Sequence, residues 1–254
     1  MKQRLLIFTS RNRSGKAVFN ALRSTFPEQE IQVVKETTGN KRQLLKRRIQ
    51  KQGLFYVINQ LVFQILIVRA LNFLCKRRIY TLQQPLDFGE IPAGYVKTLG
   101  TINDVEVLDI VKDFKPDLII VSGTRIIKKR ILNELPCEIV NIHAGITPEY
   151  RGVHGMYWAL HNQEPELAGV TLHRVDTGID TGAIISQARC THTRYDSFVT
   201  YPFIQFQASI ELLVNFVAGK REDEQVLSKG VKGPLYYHPT ATSYLYHLIT
   251  KRVR

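Results

Sequence analysis

Cysteine is scarce in this chain of 254 residues: Cys75, Cys137 and Cys190 lie far apart and form no CxxC pair. That excludes a disulfide framework and a cysteine-based structural zinc site, and it fits a reducing cytoplasm. The histidines do not fill the gap. His154, His161 and His173 are seven and twelve residues apart, unlike compact ligand pairs, and no cysteine joins them, so no metal is expected. Internal repeats are absent. The opening run, Met1 to Ser10, is too short for a secretory signal and reads as a first buried strand. A phosphate-cradling P-loop is lacking as well. The loop Thr9 to Lys16 is basic, with Arg11, Arg13 and Lys16, but it has no leading glycine, and Ala17 stands where Ser or Thr is needed.

Positive charge, by contrast, is abundant. The net charge of +13 points to phosphates, nucleic acid or an acidic membrane face. It is clustered at Lys41, Arg42, Lys46, Arg47, Arg48 and Lys51, and again at Lys76, Arg77 and Arg78. Between the clusters, Leu54 to Cys75 approaches the ~20 apolar residues that span a bilayer. Asn59, Gln60, Gln64, Arg69 and Asn72 inside it argue against a span. The segment reads as a helix or helical hairpin, packed on the domain or on a partner, or resting through its basic flanks on an anionic membrane surface.

The remainder alternates strands and helices. Apolar or alternating runs predict strands at Leu5–Phe8, Ile31–Val34, Gly94–Lys97, Asp117–Val121, Glu138–Ile142, Gly169–Val175 and Ala183–Cys190. Helices are expected from Ala17 to Thr25, Val105 to Phe114, Val153 to His161, and from Asp196-Ser197 through Ala218 to a stop at Gly219. This is the pattern of an α/β, Rossmann-like doubly wound fold with a mostly parallel sheet, whose ligands gather beyond the carboxyl ends of the strands. Residues 1–219 form the expected catalytic domain, with a helical insertion at about 41–80, and residues 220–254 form an aromatic C-terminal extension.

Two strand ends carry chemistry. One delivers Asn141 and His143; the other leads into the loop Asp176 to Gly182, which holds Asp180. An amide can donate to a developing oxyanion, an imidazole can shuttle a proton, and a carboxylate can orient that imidazole or collect the proton. Singly, these residues read as a turn amide, a core histidine and a loop acid. Together at strand ends they form an acyl-transfer set.

Asn141-Ile142-His143, then Pro148-Glu149-Tyr150-Arg151-Gly152, then Asp180-Thr181-Gly182 resemble in order the motifs of the folate-dependent formyltransferase family. That family includes glycinamide ribonucleotide formyltransferase, the catalytic domain of methionyl-tRNA formyltransferase, and sugar N-formyltransferases of bacterial surface polysaccharides. The resemblance is clear from about Pro116 to Gln187. It implies 10-formyltetrahydrofolate as donor, an amine as acceptor, and Asn141, His143 and Asp180 as catalytic residues. The family's folate slot falls on Thr124, Arg125, Ile126 and Ile127 and on Val175, Asp176, Thr177 and Gly178. The acceptor side falls on Arg11, Asn12, Arg13, Arg151 and His154. One departure is Ala144-Gly145, where many members have Pro-Ser or Ser.

The tail is too short for the barrel domain with which methionyl-tRNA formyltransferases hold tRNA, so no nucleic acid is expected. Leu235 to Thr240 resembles a tail of cell-envelope formyltransferases. The expected acceptor is a phosphorylated amino sugar, as a sugar nucleotide or a lipid-linked form. Glycinamide ribonucleotide is the alternative, and a non-catalytic interaction or membrane-surface protein is the alternative of another class. The tail aromatics are expected either to cover the site or to form a homodimer contact. The protein is expected in the cytoplasm, with peripheral contact at the inner membrane face.

Overall fold

Apolar or alternating runs set the strands of one sheet. The computed structural model describes residues 2–10, 12–37, 41–220 and 233–254, without the side chains of Asn12, Lys41 and Gln43. Strands β1 (Arg4–Thr9), β2 (Glu30–Glu36), β3 (Val96–Leu99), β4 (Leu118–Ser122) and β5 (Glu138–His143) run parallel. A short β6 (Arg151–Gly152) lies outside this sheet. Strand β7 (Gly169–Arg174) pairs antiparallel with β5, and β8 (Ile184–Arg189) pairs antiparallel with β7. The order is β3-β2-β1-β4-β5-β7-β8, so the winding reverses between β1 and β4. That is where an open α/β sheet leaves its crevice.

Alternation along β1 builds a core on each face. Leu5 and Ile7 join Val18 and Leu22 of helix α1 (Asn12–Thr25), while Leu6 and Phe8 join Val34, Ile119, Val107 and Val111 on the other face. All four β1 side chains are fully buried. Each contributes roughly 1.5–3 kcal/mol relative to exposure.

Helix α1 starts at Asn12 rather than Ala17. Gly15, within the loop expected from sequence, lies inside it. A Cβ there would sit 2.6 Å from Thr9 Cγ2, so the glycine serves close packing of helix on strand. Arg13 and Lys16 are therefore helical, and Lys16 pairs with Glu90.

The insertion comprises α2 (Lys41–Gln52), α3 (Leu54–Val62), a π-helical turn (Phe63–Ile67), α4 (Val68–Leu74) and α5 (Lys76–Gln83). Leu54–Leu74 is one continuous rod, not a hairpin. Among the described residues it alone is long and apolar enough to cross a membrane by length and composition. Yet its inner face is bonded to the domain. Gln60 Nε2 donates to the His238 carbonyl at 2.6 Å, and Gln60 Oε1 accepts from Arg48 at 2.7 Å. Asn59 Nδ2 donates to Thr242 Oγ1 at 2.8 Å. The amides that spoiled a span are thus the rod's anchors. Phe63 packs edge-on against Phe198 at 4.8 Å, and Arg78 grips the buried Asp196 carboxylate through two bonds of 2.8 and 3.0 Å.

Beyond β3 lie α6 (Glu106–Phe114), α7 (Lys129–Leu132), α8 (Gly155–His161) and α9 (Tyr201–Val217). Helix α9 starts at Tyr201, not Asp196, because Asp196 and Thr200 close a polar turn first. Asp196 accepts from the Thr193 N–H, and Thr200 Oγ1 accepts from the Ser197 N–H, each at 2.8 Å. Pro202 then enters the first helical turn. Strand β9 (Leu235–Tyr236) pairs with β6, and α10 (Ala241–Thr250) buries Tyr244 among Phe63, Tyr157 and Phe198.

Candidate active site

The antiparallel return of β7 sets Asn141 opposite His173, and alternation along β5 puts Asn141 and His143 on the same face. Asn141 Nδ2 lies 3.1 Å from His173 Nε2, and His173 Nδ1 lies 2.7 Å from the Arg174 carbonyl oxygen. The carbonyl only accepts, so His173 carries its proton on Nδ1, and Nε2 accepts from the Asn141 amide. One amide N–H of Asn141 is thereby fixed and the other is left for a ligand.

His143 is held differently. Its Nε2 donates to the Tyr150 carbonyl at 2.8 Å, which leaves the Nδ1 lone pair facing Asp180 Oδ2 at 3.4 Å. Gly145 permits this packing: a Cβ there would strike the Tyr150 carbonyl and lie 2.8 Å from His143 Nε2. The departure at Ala144-Gly145 therefore has a physical counterpart against the imidazole.

Asp180 adopts a left-handed φ of 50°, a conformation Asp tolerates better than most residues. Its Oδ2 accepts from the Gly152 N–H at 3.0 Å and its Oδ1 lies 3.7 Å from His173 Nε2. Arg151, assigned to the acceptor side from sequence, is turned away from the cavity. Its buried guanidinium donates to the carbonyls of Ile179 and Gly233 at 2.9 and 3.1 Å, tying down the aspartate loop.

Burial drives the His143 imidazole below its ordinary pKa, and the neighbouring Asp180 charge only partly opposes this. Burial works to raise the Asp180 carboxyl. The nearby imidazoles of His173 and His143 and the Gly152 N–H outweigh it and hold the carboxyl below its usual value. At neutral pH the pair is an ionised carboxylate beside a neutral imidazole whose Nδ1 can take a proton. An imidazolium formed there gains Asp180 as a partner.

The triad opens into a cavity of about 890 Å³. Its walls include Thr124, Arg125, Ile126 and Ile127 on one side and Val175, Asp176 and Gly178 beside the triad; Thr177 is not among them. Ile126 and Ile127 differ: Ile126 is 59% exposed and Ile127 5%, so Ile126 offers apolar surface while Ile127 serves the core. The Arg125 guanidinium donates to the Thr37 carbonyl at 2.6 Å and lies 3.6 Å from the buried Glu36. Asp176 accepts from the Gly178 N–H at 3.0 Å and from the Thr181 hydroxyl, closing its loop. Arg13 lines the cavity with its guanidinium over the Phe88 ring. His154 also lines it and shares a 2.8 Å bond with His238. Arg11 and the Asn12 side chain lie outside the described residues. Among the described residues no group of three or more His, Cys, Asp or Glu side chains is placed to hold a metal.

The structure also brings in residues that the sequence did not single out for this site. His173, the Gly152 N–H and the Tyr150 carbonyl orient the triad. Arg47, Arg48 and Lys51 reach the cavity from α2. Tyr236 stacks on both Tyr150 and Trp158 at 5.2 Å, and Trp158 Nε1 donates to the Tyr237 carbonyl at 3.0 Å. The tail thus forms a cover beside the site.

Residues 90–202 match the formyl transferase family model, the stretch that holds Asn141, His143 and Asp180. This segment is similar to the formyl transferase family. The chain is 39% identical over 92 residues to the methionyl-tRNA formyltransferase of Finegoldia magna, covering 36% of this chain and 29% of that protein. It spans less than half the length of the curated relatives it matches. The phosphoribosylglycinamide formyltransferase structure from Anaplasma phagocytophilum superposes with a TM-score of 0.57 at 17% identity, covering 93% of this chain and 100% of that one. A formyltransferase from Anoxybacillus kamchatkensis, solved with a UDP-linked formamido sugar and tetrahydrofolate, superposes with a TM-score of 0.50 at 18% identity, covering 96% and 91%. At such identities the likeness is one of fold, the same mostly parallel α/β sheet.

Proposed function

We propose that this protein transfers a formyl group from 10-formyltetrahydrofolate to the primary amine of a phosphate-bearing amino sugar, as a sugar nucleotide or a lipid-linked form. The observation that carries the reading is the Asn141–His143–Asp180 cluster around a buried imidazole, with its free amide N–H and vacant imidazole lone pair, open to a cavity in a segment that matches the formyl transferase family. The acceptor nitrogen attacks the formyl carbon, and the carbonyl oxygen takes up negative charge. The uncommitted N–H of Asn141 donates to that oxygen. The proton shed by the new C–N⁺ centre passes to His143 Nδ1, where Asp180 supports the imidazolium. As the bond to the folate nitrogen breaks, that nitrogen takes the proton back, leaving a formamide and tetrahydrofolate.

Ile126 and Val175 supply apolar surface for the flat folate ring system, and the loops at 124–127 and 175–178 supply backbone groups for its polar edge. Arg13, His154 and the basic residues of α2 face the acceptor. Residues 1–219, with the insertion at 41–80, act as the catalytic unit, and the extension covers it through residues 233–254. The reaction is placed in the cytoplasm. The Anoxybacillus structure, holding a nucleotide sugar with tetrahydrofolate, favours the sugar acceptor. Phosphoribosylglycinamide is the second reading, favoured by the full-length superposition on the Anaplasma protein.

The purified chain is given 10-formyltetrahydrofolate with, in turn, amino-sugar nucleotides, phosphoribosylglycinamide and methionyl-tRNA, and tetrahydrofolate is followed. Amine-dependent release fastest with an amino sugar supports the proposal. Release with none of these amines overturns it.

A further inference from the structure

The rod Leu54–Leu74 shows two unlike sides. Val57, Gln60 and Phe63 are buried against the domain, while Phe55, Ile58, Val62, Ile65, Leu66 and Phe73 are 40–87% exposed. At 100° per residue these six fall on one stripe opposite the buried side, and Arg69 is the only charge within it. A continuous apolar strip of this kind is not a solvated surface; it marks a contact. Leu44 and Leu45 of α2 are also exposed, on a helix rich in Lys and Arg.

Charge identifies what makes the contact. From Thr37 to Leu86 the sequence holds ten Lys and Arg residues and not one Asp or Glu, against a net charge of +13 for the whole chain. An apolar stripe flanked at both ends by cations is the signature of a helix lying in a negatively charged lipid interface. A second copy of this chain, docked by a two-fold axis, would set the same cations against themselves. A transmembrane course would tear Gln60 and Asn59 from His238 and Thr242. The rod therefore lies on the surface, bonded to the domain along its inner side.

The same helices border the cavity. Leu44, Arg47, Arg48 and Lys51 of α2 line it, as does Gln60 of the rod's inner face. We infer that the α2–α4 face docks on an anionic bilayer and brings the cavity mouth to its surface, where the acceptor amine is carried on a lipid phosphate held by Arg47 and Lys51. The lipid-linked acceptor rests on the proposed formyl transfer; the docking does not.

The test uses the full chain with vesicles of phosphatidylcholine, alone or with about a third phosphatidylglycerol. The wild type is expected to co-sediment with anionic vesicles at low salt, at least ~10-fold better than with neutral ones, and to come off in high salt. The variant Phe55→Ser/Ile65→Ser/Leu66→Ser/Phe73→Ser should lose that binding. Its melting temperature and its tetrahydrofolate release with a soluble amine should not change. With wild type, an amino sugar on a polyprenyl phosphate in these vesicles should react at least ~10-fold faster than its soluble nucleotide form, an advantage the variant lacks. Wild-type protein that ignores anionic vesicles, or a solution dimer that the variant dissociates, overturns the docking even if formyl transfer is observed. Vesicle binding without tetrahydrofolate release for any amine upholds the docking and overturns the formyl-transfer reading and the lipid-linked acceptor with it.

Discussion

Along β5 and β7 the groups that face the cavity are held by one another: Asn141 by His173, His173 by the Arg174 carbonyl, His143 by the Tyr150 carbonyl, Asp180 by the Gly152 N–H. Along the outer side of α3 and α4 the exposed side chains are apolar but for Arg69, while the inner side is bonded through Asn59 and Gln60. The first region explains its residues by its own contacts. The second explains only half of them, and the other half call for a surface outside the molecule. Sequence chemistry that is satisfied internally points to catalysis here, and chemistry left over points to a partner.

Substitutions stepping from the first region to the second should show a falling series of effects. His143→Ala, Asn141→Ala and Asp180→Ala are each expected to cut turnover by ~10²–10⁴-fold with little loss of fold, since each removes a proton acceptor, an oxyanion donor or the support of the imidazolium. Near-wild-type turnover in the His143 variant would erase the contrast between the regions. The pH profile sharpens it. Burial lowers the His143 pKa and Asp180 opposes that lowering, so His143 is neutral above its ordinary imidazole value, and activity should hold below that value before falling on its acid side. In Asp180→Asn the opposing charge is gone, and this acid limb should move to still lower pH. A limb that stays in place or rises would remove His143 from the proton path.

The joint between the regions comes next. Arg78 binds the carboxylate of Asp196 from the insertion side. Arg78→Ala should destabilise the protein by about 2–3 kcal/mol, read from urea melts, because it strips a buried carboxylate of its cation. Burial would raise the Asp196 carboxyl, but Arg78 and Thr193 hold it below its usual value. Its contribution is therefore complete above the unfolded carboxylate pKa of about 4 and is lost as pH falls through the lower folded value. Asp196→Asn should flatten that acid loss; an unchanged slope would contradict it.

At the cavity mouth, Arg13→Ala should raise the acceptor KM about 10-fold, weaken its salt dependence and leave the donor KM alone. A donor-side effect would reassign that wall. Smallest of all, single Phe55→Ser or Phe73→Ser changes should shift stability in water by no more than about 0.5 kcal/mol, since these side chains are already exposed. A larger loss would mean that the outer face packs on something within the chain.

Local signals made the sheet legible. Leu118 to Val121 is a continuous apolar run and proved buried, and Asn141 and His143 announced themselves at a strand end. What pattern could not show was what crosses the chain. His173 reads as one more histidine until the β5–β7 register sets it against Asn141. Arg151 reads as an acceptor ligand until its guanidinium is found on the Ile179 and Gly233 carbonyls. Gly15 reads as part of a loop until Thr9 is seen beneath it. The rod's composition was plain, but which side faced the domain depended on the distant residues His238 and Thr242.

The central claim is that His143 and Asp180 form one proton-handling pair for formyl transfer. It is tested most directly by following tetrahydrofolate release from 10-formyltetrahydrofolate with an amino-sugar nucleotide across pH, in wild type and Asp180→Asn. The account predicts amine-dependent release in the wild type, and in the variant a rate lower by ~10²-fold or more with an acid limb displaced to lower pH. Equal rates with superimposable pH profiles would contradict it.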